Sequence, residues 1–153
     1  MAPAFSLQNV LDLRHSRVEA LEVELGQLLQ AQLNTQAILD TFLTLQADLM
    51  QRLGEEQVGE IDLFAISILH SNILAVDNQI TAASEKLSQA NQAVDAKRQE
   101  LIEARQKEET LETLKNKRIE VYNSEVAQNE ARVQDDLYIA QAFQHRSVEA
   151  HIP

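Results

Sequence analysis

From Asp62 to Arg146 the chain contains neither proline nor glycine. Apolar residues recur there every three or four positions, and no alternation of period two is present. That pattern excludes strands and predicts one amphipathic helix. Ile73, Val76, Ile80, Ala83, Leu87, Ala90, Val94, Leu101, Ala104 and Leu111 fall on a single heptad seam. Of the twelve a and d positions from Ile73 to Leu111, only Lys97 and Glu108 are not apolar. At 1.5 Å per residue a helix over 62–146 would run on the order of 125 Å. No compact domain of 153 residues holds such an element, so it pairs with another helix or exposes itself to a partner.

The chain before it supplies a mate. Leu7, Leu11, Arg14, Val18, Leu21, Leu25, Leu28, Gln32, Thr35, Leu39, Phe42, Gln46, Leu49 and Leu53 form a second heptad series, ten of whose fourteen members are apolar. Ser6 is the expected N-cap, with Phe5 and Val10 as a hydrophobic staple. Gly54 is the expected residue just past the C-terminal end. Asp62 is the next expected N-cap, with Ile61 and Ile66 as its staple. The prediction is an all-α, single-domain chain (1–153). Helices over 6–53 and 62–146 flank a turn at 54–61 and form an antiparallel two-helix coiled-coil hairpin, the longer second helix overhanging at the open end. Folding about the midpoint of Gly54 and Ile61 makes partner residue numbers sum to 115, which sets Leu28 against Leu87 and Leu21 against Val94. The first helix then runs out opposite about Leu111.

Two apolar surpluses follow. Residues 112–146 would overhang, carrying a second stripe of Leu114, Ile119, Tyr122, Val126, Val133, Leu137, Ala140 and Phe143. Spacing alone leaves open whether this is a frayed tail, a self-association seam or a docking face. Closer to the turn, Leu33, Ile38, Leu43, Leu45 and Met50, with Phe64, Ile68, Leu69 and Leu74 across from them, exceed what two helices cover. A thicker local core, a four-helix dimer and a partner-binding patch all fit that excess.

Composition narrows function. A net charge of −11 opposes nucleic-acid binding and adhesion to anionic lipid. Charge is uneven. No Lys or Arg lies between Arg52 and Lys86, whereas seven of the thirteen basic residues lie in Lys97–Arg118. Cysteine is absent, so neither disulfides nor thiolate chemistry is expected. No apolar run approaches a membrane span and no secretory leader is visible at the start, so a soluble, cytoplasmic protein is expected. There is no phosphate loop, metalloprotease motif, calcium loop or nucleophile motif. His15, His70, His145 and His151 are scattered, and adjacent Asp135 and Asp136 diverge on a helix. No catalytic residue, metal site or cofactor is expected, and the chain is not read as an enzyme.

The sequence Phe5-x-Leu7-Gln8-x-Val10-Leu11-x-Leu13-Arg14 resembles the N-terminus of the FliJ family of flagellar type III export proteins. Leu111-Glu112-x-Leu114-Lys115-x-Lys117-Arg118-x-x-x-Tyr122-x-x-Glu125, then Glu130 and Asp135-Asp136, resembles its C-terminal signature. Gln128-Asn129-Glu130-Ala131 stands where the family often has a Glu-Gln-Lys run. The resemblance implies a non-enzymatic stalk similar to that of rotary ATPases, monomeric in isolation. Such a stalk binds the hexameric export ATPase and couples it to the cytoplasmic domain of the export gate. It also handles export chaperones, and is cytoplasmic and peripheral to the inner membrane through those partners. Carried over by position, the ring contact is Phe5, Leu7, Leu11, Arg14, Leu114, Lys115, Lys117, Arg118 and Tyr122. The gate contact is Ile38, Phe42, Leu45, Leu49 and Val76, with Asn72 where an aromatic is expected. Competing expectations are a structural coiled coil that self-associates through the overhang and the injectisome counterpart of the stalk.

Overall fold

The computed structural model describes residues 4–150. Two helices account for nearly all of them, α1 (Gln8–Glu56, 49 residues) and α2 (Leu63–Ala150, 88 residues), and no strand occurs among the described residues. The chain is therefore all-helical, with the second helix much the longer. Two packed units are present among the described residues, 15–105 and 4–14 with 106–150.

In the 15–105 unit, α1 and α2 lie antiparallel through the expected seam. Every a and d position of α1 from Val18 to Leu53 is buried or half-buried, and so is every one from Ile73 to Ala104 on α2. Leu21 and Val94 are the most enclosed, each 1% exposed. Val18, Leu21 and Leu101 form a tight cluster on which Leu25 and Ala104 pack. Burying such side chains contributes roughly 1.5–3 kcal/mol apiece.

The register differs from the expected one. Leu21 meets Leu101 rather than facing Val94. Gln32 donates to Asn91 and Gln46 donates to Asp77, pairs whose numbers total 123 rather than 115. The slip is about one heptad, which returns the same seam to the interface. Its cause lies at the turn. α1 continues through Gly54 to Glu56, because a glycine in a helix costs only about 1 kcal/mol and does not by itself stop it. The helix ends by tightening instead: Gln57 N–H donates to Leu53 O (3.2 Å) and Val58 N–H to Glu55 O (3.2 Å). Gly59 then takes φ of +84°, the left-handed conformation that glycine adopts without steric cost. The turn is therefore centred later than 54–61.

Asp62 caps α2 as expected. Its Oδ1 accepts from the backbone of Phe64 (3.0 Å) and Ala65 (3.4 Å), while Ile66 N–H donates to its carbonyl.

Polar side chains order the seam's flanks. Lys97, at a d position, donates to Glu24 (2.9 Å) and Glu100 (3.3 Å). These hydrogen bonds hold the Glu24 carboxyl below its ordinary range and the Lys97 ammonium above its own. Arg105 donates to Glu22 at 2.9 Å. Arg17 sits 3.8 Å from Glu100. Both pairs are solvated and orient the helices more than they stabilise them.

In the other unit the start of α1 packs on the middle of α2. Leu11 and Leu111 are buried, 7% and 8% exposed, and their numbers total 122. Ser6 does not cap α1. Its Oγ accepts from Arg118 (3.0 Å), and the first helical bond runs from Leu11 N–H to Leu7 O (2.9 Å). Phe5 lies beneath the Arg118 guanidinium and Val10 is exposed, so the expected staple is replaced by this clasp. The first segment therefore reaches Arg118, not Leu111, and the uncovered part of α2 begins later than residue 112.

Candidate functional site: the uncovered faces of the second helix and the hairpin

The predicted ring-contact residues come together in the unit of residues 4–14 and 106–150, in unequal states. Leu11 is spent on the seam, and Leu7, Lys115 and Tyr122 are half-buried. Arg14 Nη1 donates to the Lys107 carbonyl at 3.0 Å. Arg118 lies 5.3 Å above the Phe5 ring and donates to Ser6, a cation–π and hydrogen-bond clasp made through one guanidinium. Leu114 is 36% exposed and shares a shallow trough with Gln106, Glu109, Thr110, Thr113 and Lys117. Of the nine, Leu114, Lys117 and Arg118 are exposed to solvent, and Arg118 is engaged in the clasp.

Beyond Arg118 the helix stays regular to Ala150 with little over it. Ile119, Val133, Leu137 and Phe143 of the predicted stripe are all exposed, Phe143 by 73%. Val121, Tyr138, Ile139 and Val148 are exposed as well. Stripe counting passed over these four because they lie off the one line of three- and four-residue steps it followed. Counting apolar residues on every face, without assuming one seam, would have found them. His151 lies outside the described residues.

The predicted gate-contact residues of the 15–105 unit divide by the seam. Leu49 and Val76 are buried, 6% and 8% exposed, and Phe42 is half-buried, so these three serve first to join the helices. Ile38 and Leu45 stand free, seven residues apart on one flank. Leu33, Leu43, Met50, Phe64, Ile68 and Leu74 are exposed too. The surplus near the turn is therefore a real apolar surface and not a thicker core.

Among the described residues no buried side-chain nitrogen or oxygen lacks a partner, and no group of three His, Asp or Glu is placed to hold a metal. No helix among them is long and apolar enough to cross a membrane. The fold and its surfaces define a class of protein, a helical coiled-coil hairpin with exposed apolar helix faces. The chain belongs to the FliJ family: the profile described as Flagellar FliJ protein matches residues 3–147. That family is a non-catalytic component of the flagellar export apparatus, which gives the chain its place in flagellar protein export. Comparison with curated proteins and with solved structures yielded no match.

Proposed function

We propose that this chain is the stalk-like adaptor of the flagellar export ATPase, binding the ATPase ring and linking it to the export gate. It acts by binding, without catalysis, in the cytoplasm, and reaches the inner membrane through its partners. The carrying observation is the uncovered part of α2. A regular helix with Val133, Leu137, Tyr138 and Phe143 exposed is marginal in water and gains most by docking. Leu114 and Lys117, beside the Arg118 clasp, supply an apolar and a cationic group next to it. The gate contact falls to Ile38 and Leu45, the members of the predicted set that the seam leaves free. Export chaperones would use the same exposed helix faces in turn.

The test is reconstitution with the cognate export ATPase. The wild-type chain should bind the ring and raise ATP turnover. Leu114→Asp with Tyr122→Ala should abolish both while circular dichroism retains the helical signal. Undiminished ring binding would remove the proposed contact. A self-association seam is the second use the exposed stripe supports, and sedimentation equilibrium separates them: a concentration-independent monomer favours the adaptor.

A further inference from the structure

The seam of the 15–105 unit divides the hairpin into two flanks. With Leu39, Gln46, Ile73 and Ile80 at a, the g positions hold Ile38, Leu45 and Arg52 on α1 and Lys86 on α2. The e positions, on the other flank, hold Leu29, Leu43 and Met50 on α1, with Leu63, His70 and Asp77 on α2. The ion pairs agree with this division, since Arg17–Glu100 joins g to g and Glu22–Arg105 joins e to e.

The e flank carries a heptad line of its own. Leu29, Leu33, Leu43, Ala47 and Met50 follow one another at three- and four-residue steps, interrupted by Gln36 and Asp40. Leu33 is 64% exposed, Met50 52% and Leu74, on α2, 63%. Such a line is what a further helix packs against. Its charge is one-sided. Asp40 lies within it and Asp77 holds an e position on α2, while the only cations between residues 52 and 86, inclusive, are those two end residues, both at g positions. Asp77 is half-buried and accepts from the neutral amide of Gln46; Asp40 accepts from that of Gln36. Neither carboxylate has a cation beside it.

We propose that this e flank is a docking surface for a cationic amphipathic helix of another protein, a site distinct from the Ile38 and Leu45 flank. The partner would lay a leucine-like stripe over Leu33, Leu43 and Met50 and place Lys or Arg at Asp40 and Asp77. Charge decides against a second copy of this chain, since two such flanks would face carboxylate to carboxylate.

The probe is a fluorescent synthetic peptide of about three heptads with Leu at a and d and Lys at e and g, titrated into the full chain by polarisation. Binding should occur, and should weaken by at least about tenfold in Leu43→Glu with Met50→Glu. It should persist in Ile38→Glu with Leu45→Glu, and weaken when Asp40→Asn is combined with Asp77→Asn. All four substituted apolar positions are exposed, so circular dichroism should be unchanged. Absence of binding overturns the proposal. Equal binding of a scrambled Lys peptide or of a Glu-bearing analogue overturns it too. So does a homodimer that Leu43→Glu dissolves, since the flank would then belong to a second copy.

Discussion

Asp62 shows what one side chain contributes here. Its carboxylate satisfies two backbone donors that the first turn of α2 would otherwise leave to water. Asp62→Ala should cost about 1 kcal/mol in urea unfolding. Leu21 works by enclosure instead, and Leu21→Ala should cost about 2–5 kcal/mol by the same measurement, since the cavity has two rigid helices for walls. Lys97 couples stability to pH. Glu24 is held below its ordinary value of 4.5, so its contribution is present above that pH and is lost as pH falls through the lowered value. Lys97 is held above 10.5, so its contribution is present below that pH and is lost as pH rises through the raised one. Lys97→Met should therefore lower stability slightly at neutral pH and leave the acid and alkaline extremes nearly unchanged, so that the stability-against-pH curve from urea unfolding flattens.

At the scale of the element, the register and the ends of α1 matter most. A heptad seam repeats, so it fits its mate equally well one heptad away. The polar pairs Gln32–Asn91 and Gln46–Asp77, with Lys97 reaching Glu24, single out one alignment. Because the chain has no cysteine, a pair can be introduced cleanly. Leu28→Cys with Val94→Cys should cross-link on oxidation, and Leu28→Cys with Leu87→Cys should not; the reverse result would restore the earlier-turning hairpin. α1 also ends on Glu55 and Glu56 with no basic residue in its last turn, against the helix dipole. Glu56→Lys should raise stability by about 0.3–1 kcal/mol, read as a higher urea midpoint.

For the whole molecule the governing fact is unequal supply. α2 has 88 residues and α1 has 49, so much of α2 has no intramolecular cover. The surfaces left over are apolar and, on one flank near the turn, unrelieved by any cation. A net charge of −11 opposes association of like copies. The exposed end of α2 should protect its amides from hydrogen exchange far less than the 15–105 unit does, and gain protection when the export ATPase is added. Unchanged exchange in a complex shown by other means to have formed would move the contact elsewhere.

Much of this was legible in the residues alone. Helix type, the seam on both helices, the Asp62 cap and the family resemblance all follow from local pattern, because periodicity and capping are properties of a segment and its immediate neighbours. The register and the Arg118 clasp that replaces the Ser6 cap were decided only by tertiary structure. Each depends on which residue of one helix meets which of the other. A repeating stripe cannot state that choice; the specific polar partners and the place where the chain turns make it.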